Sequence, residues 1–405
     1  MKHVIIGAGA AGIAAARTIR RLDKTAEITV ISADDAVYSR CMLDKFIGGA
    51  RDVAEIGFVP PDFFEANRIE WSGGVAVDSV DTAAKRVFCG NKAVSYDRLL
   101  VATGAKSAFP PIDGLESVSR VYGLRDLSDA VAIRKKAADA EHKHVVIIGA
   151  GLVGLDAAYG LVQMGIKSKP LLIDSAAEVL SACFDETAAK AYRAKFEENG
   201  CQFRLNSRVE KICGNSTGDV MSVVLDCGDE LPCDLLIVAT GVRPENALLP
   251  NAAVNQYLAT QYDGVYIAGD ATGLSESWPA AVEQGEVAAH NMCGIQTAYD
   301  AVLMQKNTAH FFGIASMSVG EVTPKAGDTI EARQDRGRYQ KVILRGGVPV
   351  GVLLQGDISR GGFWQQLIAN KVNIAALSDS VWKTSFADGY ALDESGEYVW
   401  QLPAM

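Results

Sequence analysis

Two glycine triplets mark where this chain can do chemistry. Gly7, Gly9 and Gly12 follow the apolar run His3-Val4-Ile5-Ile6, and Gly149, Gly151 and Gly154 follow His144-Val145-Val146-Ile147-Ile148. In both places Gly-x-Gly-x-x-Gly leads into an alanine-rich, helix-favouring segment. The first glycine permits a tight turn, the second lets a pyrophosphate approach the backbone, and the third lets the new helix lie close on its strand. Free N–H groups and the dipole at the helix N-terminus then favour an anion. Two such units in one chain predict two dinucleotide sites.

The residue about twenty positions beyond the last glycine meets the adenosine ribose and sorts the nucleotides. In the second unit this is Asp174, at the end of Leu171-Leu172-Ile173. Its carboxylate accepts from ribose hydroxyls and repels a 2′-phosphate, and no arginine follows closely, so the site is expected to take NADH. In the first unit the same position is Ser32, where an acid is the usual choice and a hydroxyl can still bond the ribose. The eight cysteines contain no Cys-x-x-Cys pair and no His/Cys ligand cluster. That spacing predicts reduced thiols, with no metal site, in-chain iron–sulfur cluster or redox disulfide.

The elements that position these residues can be read in order. The loop Ala36–Lys45, holding Arg40 and Cys41, follows the ribose-contacting strand and should pass over the bound cofactor. Residues 67–88, with Val75, Val77 and Val80, read as short antiparallel strands. Leu99-Leu100-Val101-Ala102 is a buried strand ending in Thr103-Gly104, and Pro110-Pro111 marks a crossover between domains. A matching half follows: an amphipathic helix over 188–199, then Leu235 to Val238 running into Ala239-Thr240-Gly241. Internal duplication is the simplest account. Val265-Tyr266-Ile267 ends in a Gly269-Asp270 turn, and residues 341–354 and 363–370 read as a hairpin and a short helix.

A chain of 405 residues has room for two or three domains. Its net charge of −10 argues against a nucleic-acid or anionic-membrane partner. No run approaches the roughly eighteen apolar residues of a membrane span, and the N-terminal run reads as a mature first strand rather than a signal peptide. A cytoplasmic protein is expected.

The order Gly-x-Gly-x-x-Gly, Ala-Thr-Gly, Gly-x-Gly-x-x-Gly, Ala-Thr-Gly, Gly-Asp resembles the FAD- and pyridine-nucleotide-dependent oxidoreductases of the glutathione-reductase structural class, over roughly residues 1–305. The loop Tyr38-x-Arg40-x-x-Leu43-x-Lys45, the segment Trp278-Pro279 to Gln284-Gly285, and Gly351 to Asp357 are similar to the branch of rubredoxin reductases and the flavin module of nitrite reductases. The resemblance implies an α/β fold of two Rossmann-like, three-layer ββα domains plus a C-terminal α+β domain. It places FAD on residues 1–110 and 241–305, NAD on 111–240, and an interface domain at 306–405. Gly7, Gly9 and Gly12 would hold the FAD pyrophosphate. Ser32, Arg40, Val77, Thr103, Gly104, Gly241, Gly269, Asp270 and Trp278 would complete the FAD site, with Asp270 on the ribityl chain. Gly149, Gly151, Gly154 and Asp174 would hold NADH.

In that branch a lysine near the flavin pairs with an acid two residues past the last glycine of the NAD fingerprint, positions matched here by Lys45 and Asp156. The usual acid is glutamate, one carbon longer. Cys41 stands in the loop where single-cysteine members carry a redox thiol, without their Ser-x-x-x-Cys context. The reading is an FAD-dependent NADH dehydrogenase passing electrons to a rubredoxin- or ferredoxin-type protein, or to an iron–sulfur subunit of a larger complex. The alternative is a Cys41-dependent NADH oxidase, peroxidase or disulfide reductase, including coenzyme A-disulfide reductase. The aromatic tail Trp382, Phe386, Tyr390, Tyr398 and Trp400 either docks a partner or packs on the preceding domain.

Overall fold

A computed structural model of the chain describes residues 1–139, 144–300, 306–376 and 380–400. The first apolar run forms β1 (Lys2–Ile6), and Gly9 caps α1 (Ala10–Leu22). β2 (Glu27–Ile31) lies parallel to β1, with Val4 opposite Thr29 and Ile6 opposite Ile31. The completed five-stranded parallel sheet runs Val265–Ile267, Arg98–Val101, β1, β2, Ile69–Ser72. Its central strands are continuous apolar runs because both faces are covered. α1 and the helix Trp278–Met292 bury Ile13, Ile19, Val287 and Met292 on one face. Val4, Leu99 and Val265 on the other face share a core with Val87 and Tyr96. These last two flank and sit on the antiparallel sheet Ser79–Asp81, Arg86–Cys89, Lys92–Ser95.

The second half repeats this plan. Its parallel sheet runs Gln202–Arg204, Leu171–Ile173, Val145–Ile148, Leu235–Val238, Val121–Tyr122. An antiparallel sheet, Val209–Gly214, Val220–Leu225, Glu230–Pro232, closes a core around Val146, Ile148, Ile212, Val223 and Leu236. The chain passes between the halves twice, and the two crossings pair with each other as antiparallel strands Ala105–Ser107 and Val242–Pro244. The segment 67–88 departs from the antiparallel expectation at one end. Ile69–Ser72 joins the main sheet in parallel, beside β2, and only the later strands are antiparallel. Alternation marks a half-buried strand but carries no sign of its direction.

By internal contacts the chain divides into two compact units: residues 1–175 with 199–300, and residues 176–198 with 301–405. The second unit is built on an antiparallel sheet, Lys306–Phe311, Ile314–Gly320, Val348–Gln355, Arg338–Arg345, Thr329–Asp335. The helix Gly361–Ala369 packs Phe363, Trp364 and Leu367 against Val342 and Leu354. The amphipathic helix foreseen at 188–199 spans Glu186–Glu198 and belongs to this unit, where the Tyr192 hydroxyl donates to Ser316 Oγ at 2.8 Å. In the tail, Trp382 lies under the Arg333 guanidinium, 4.4 Å from ring centre to cation, and Phe386 meets Phe363 edge-on. The side chains of Tyr398 and Trp400 lie outside the described residues. No helix among the described residues is long and apolar enough to cross a membrane.

Candidate active site

The two glycine turns have the same geometry for the same steric reasons. Gly7 and Gly149 both adopt φ +105°, and each N–H donates to the end of the neighbouring strand, Ile31 O at 2.7 Å and Ile173 O at 2.8 Å. A Cβ on Gly12 would stand 1.9 Å from Gly7 O, and one on Gly154 would stand 2.0 Å from Gly149 O. Only glycine lets these helices start so close to their strands. Above Gly9 and Gly151, by contrast, a Cβ would meet nothing within 4 Å. The open backbone face is where a phosphate can approach.

A cavity of about 500 Å³ opens at the first turn. Gly7, Gly9 and Ser32 contribute to its wall, as do Val77, Thr103 and Gly104 further along. Arg40, Cys41, Gly269, Asp270 and Trp278 also line it. Of the first-site candidates, Gly12 lies behind the turn it packs on. Gly241 sits at the second crossing, where its carbonyl accepts from Ala108 N at 2.9 Å. Thr103 and Thr240, the two threonines of the repeated Ala-Thr-Gly, turn their hydroxyls to the opposite crossing, donating to Glu245 O at 2.5 Å and Ala108 O at 2.8 Å. Lys45 and Asp156 lie outside the lining of this cavity.

Charge in the wall is organised around two arginines. Arg40 donates to Asp34 Oδ2 at 2.9 Å, Tyr38 Oη at 3.0 Å and Arg125 O at 2.9 Å, and pairs with Asp126. Burial pushes the Tyr38 phenol up to about 12, so it serves as a neutral strut whose oxygen also accepts from Leu127 N at 3.0 Å. Arg125 donates to Asp270 Oδ2 at 2.5 Å and to Ala105 O at 3.1 Å. Neither Arg125 nor Asp126 was foreseen from sequence. The signal present was the capping box of Asp126 and Asp129 at the start of the helix Leu127–Ala137, which marks a helix end but not the cavity it faces. Asp270 is held further by its own turn, since Gln284 Oε1 accepts from Gly269 N at 2.8 Å and Thr272 Oγ1 at 3.1 Å.

Beside the cavity, α2 (Leu43–Ile47) packs against the helix of the second fingerprint, Leu152–Met164. Lys45 Nζ stands 2.9 Å from Asp44 Oδ2 and 4.3 Å from the centre of the Tyr159 ring. The expected pair with Asp156 is not formed. The neighbour Asp44 takes the ammonium instead. Burial pushes the Asp156 carboxyl well above the usual carboxylate range, Asp44 pushes it the same way, and Lys45 pulls it back. Cys41 is accessible from the cavity yet surrounded by protein, and burial, followed by the charge of Asp156, pushes its thiol up to about 11. In the second fingerprint, Asp174 Oδ2 accepts from Ala150 N at 2.6 Å, which holds the carboxylate at the mouth of the glycine turn.

The pyridine nucleotide-disulphide oxidoreductase profile matches residues 1–285, and the rubredoxin NAD+ reductase C-terminal domain profile matches residues 306–372. The chain belongs to the pyridine nucleotide-disulphide oxidoreductase family. Within this family it is 32% identical to the epsilon subunit of an NADH-dependent phenylglyoxylate dehydrogenase from Aromatoleum evansii, over 93% of each chain. It is 30% identical to a rubredoxin-NAD(+) reductase from Ectopseudomonas oleovorans, over 73% of this chain and 81% of that one. Among solved structures, a NAD-dependent persulfide reductase from A. fulgidus superposes with a TM-score of 0.82 at 26% identity, covering 93% of this chain and 78% of that one.

As a family member the protein is an FAD-dependent oxidoreductase that uses NADH. The first cavity suits FAD on its own terms. Its wall joins an open glycine turn at a helix N-terminus, a hydroxyl at the end of β2, and a half-buried carboxylate with an indole at the other candidate positions.

Proposed function

We propose that this oxidoreductase takes electrons from NADH and passes them to an iron–sulfur carrier, either a rubredoxin- or ferredoxin-type protein or a fixed subunit of a larger complex. The observation that carries this reading is the state of Cys41. It is the cysteine of the cavity wall, all eight cysteines are free thiols, and its own thiol is pushed up to about 11. A thiol that stays protonated is a poor nucleophile and a poor partner in exchange. The naming of one relative as a subunit of an NADH-dependent dehydrogenase, aligned over 93% of both chains, supports the same reading.

FAD bound in the first site would accept a hydride from NADH and release electrons one at a time, which suits an iron–sulfur acceptor. The chain's own groups would bind and orient it. The N–H groups at the start of α1 and the open face of Gly9 take the pyrophosphate, while Gly7 makes the tight turn and Gly12 keeps α1 close on its strand. Ser32 meets the adenosine ribose. Arg40, Val77, Thr103, Gly104, Gly269, Asp270 and Trp278 shape the rest, and Gly241 turns the chain back into the domain. Gly149, Gly151 and Gly154 with Asp174 seat NADH in the same manner. Lys45, beside the cavity, would bring a positive charge to the redox end and favour negative charge on the group held there.

The test compares turnover with a one-electron acceptor against turnover with peroxide or a disulfide, in the parent and in Cys41→Ser. NADH-driven reduction of the one-electron acceptor should stay within a few-fold, and Lys45→Met should slow flavin bleaching in stopped flow. Abolished peroxide or disulfide turnover in Cys41→Ser, with normal bleaching in Lys45→Met, would replace this reading with the thiol-based one.

A further inference from the structure

The sheet of the second unit ends on one side in the strand Thr329–Asp335, and that edge is open. All seven of its residues are exposed, whereas the strand at the opposite edge, Lys306–Phe311, buries Ala309 and Phe311. Its pairing with Arg338–Arg345 runs unbroken from Thr329 opposite Leu344 to Asp335 opposite Arg338. Edge strands are ordinarily blunted by proline, lysine, a bulge or a covering segment, because their free N–H and C=O groups template another strand. Thr329–Asp335 has no proline, lysine or bulge, and no strand among the described residues pairs with its outer side. What it carries instead is two opposite charges, two residues apart. Glu331 lies opposite Val342 and Arg333 opposite Gln340, so the two project from the same face of the sheet. Neither forms an ion pair among the described residues; Arg333 donates to Gln340 Oε1 at 2.7 Å and stacks on Trp382.

We propose that this edge is an interface with a second copy of the chain, formed by antiparallel pairing of Thr329–Asp335 with itself about a two-fold axis at Ala332. Main-chain hydrogen bonds between the two edges supply the attraction, and the side chains fix the register. A two-fold axis normal to the sheet sets one residue against its own copy. With Ala332 on the axis, Glu331 of each copy faces Arg333 of the other, and Thr329 faces Asp335. On the other face Ile330, 49% exposed, meets the second copy's Gln334. Moving the axis to Glu331 sets carboxylate against carboxylate. Moving it to Arg333 sets guanidinium against guanidinium and Glu331 against Asp335. Directly opposed like charges destabilise a strand pair and opposite charges support it, so the order of residues in this strand selects the Ala332 register. The same order disfavours an arbitrary strand, since few others place a cation and an anion to match. Exposed ion pairs add little attraction of their own, so the dimer is weak and depends on protein concentration.

The assignment does not rest on the proposed function, and its test needs no electron acceptor. Sedimentation velocity of the intact, flavin-loaded chain should show a monomer–dimer equilibrium that moves toward dimer as concentration rises. Glu331→Arg opposes like charges twice across the axis and should weaken the dimer about tenfold or more. Arg333→Glu should do the same. The double exchange, Glu331→Arg with Arg333→Glu, should restore the dimer, because it rebuilds both pairs with their signs swapped; loss of the Trp382 stack alone would not be repaired in this way. Ala332→Cys gives a reading independent of affinity. Opposed Cα atoms in an antiparallel pair stand about 4.5–5.5 Å apart, within reach of a disulfide. Oxidation should therefore join two copies through position 332, identified by mass spectrometry of the linked peptides, and Ile330→Cys should give no such link through position 330. A chain that stays monomeric at every concentration overturns the proposal, whether the edge then stays bare or takes another protein's strand. So does a dimer that keeps its affinity in Glu331→Arg, fails to recover in the double exchange, or does not cross-link at position 332.

Discussion

Arg125 donates to Asp270 Oδ2 at 2.5 Å, and with this one bond the residue before the Asp126 cap of the helix Leu127–Ala137 is tied to the turn that follows the strand Val265–Ile267. The two side chains are 20% and 10% exposed, so the pair is largely withdrawn from water. Removing one partner of such a pair costs more than the pair contributes, because the remaining charge is left desolvated. Arg125→Met should lower stability by about 1–3 kcal/mol, the range being reduced for residual exposure. It should also lower the FAD bound per chain. Arg125→Lys should restore only part of both, since an ammonium cannot span Ala105 O and Asp270 with a fixed fork. Thermal melting and flavin-to-protein absorbance ratios measure the two effects.

NADH should be strongly preferred over NADPH. A 2′-phosphate brought to Asp174 meets a carboxylate already fixed by Ala150 N at 2.6 Å, and like charges at that range cost on the order of 1 to 4 kcal/mol. Asp174→Ala should narrow the ratio of kcat/KM for the two nucleotides, chiefly through the KM for NADPH. Comparable kcat/KM values in the parent protein would contradict the assignment of Asp174.

Alkylation of Cys41 should be slow at neutral pH. The thiol is pushed up to about 11, chiefly by burial, and only the thiolate reacts with iodoacetamide. In protein freed of its flavin, the modification rate at Cys41 should therefore keep rising up to about pH 11, well beyond the range of an ordinary cysteine. Mass spectrometry of the labelled peptide would report it, and a plateau reached by pH 8 would contradict the environment described.

His3 sits in β1 at 1% exposure, its Nδ1 without a hydrogen-bond partner, and burial pulls its imidazole down to about 4. The folded state therefore disfavours the proton that the unfolded chain accepts near 6.5. Its contribution to stability is complete above that value and is lost as pH falls from about 6.5 to 4, by up to about 3 kcal/mol. The melting temperature of His3→Phe should fall less between pH 7 and pH 4.5 than that of the parent.

How much of this was legible in the sequence depends on how local each cause is. The two glycine turns were legible because their geometry is set within a dozen residues. A Cβ at Gly12 would overlap the carbonyl of Gly7, and that constraint is written in the spacing itself. The places of Ser32 and Asp174, each just past the end of its strand, follow from the same local ruler, and the doubled order of turns and strands was enough for the fold class. The direction in which Ile69–Ser72 pairs was not legible, because alternation looks the same in parallel and antiparallel strands.

The amino-acid sequence by itself therefore determined two dinucleotide turns, their strands and helices, and the family. Tertiary structure alone decided which charges meet. Lys45 is followed by Asp156 only after more than a hundred residues, and whether their side chains touch depends on how closely α2 seats against Gly160. Arg125 reaches Asp270 only because the chain crosses between the halves at Ala105–Ser107 and Val242–Pro244. The thiol of Cys41 is held protonated by burial and by carboxylates drawn from elsewhere in the chain. Ion pairing and desolvation vary steeply over an ångström, and no spacing along a sequence carries that precision.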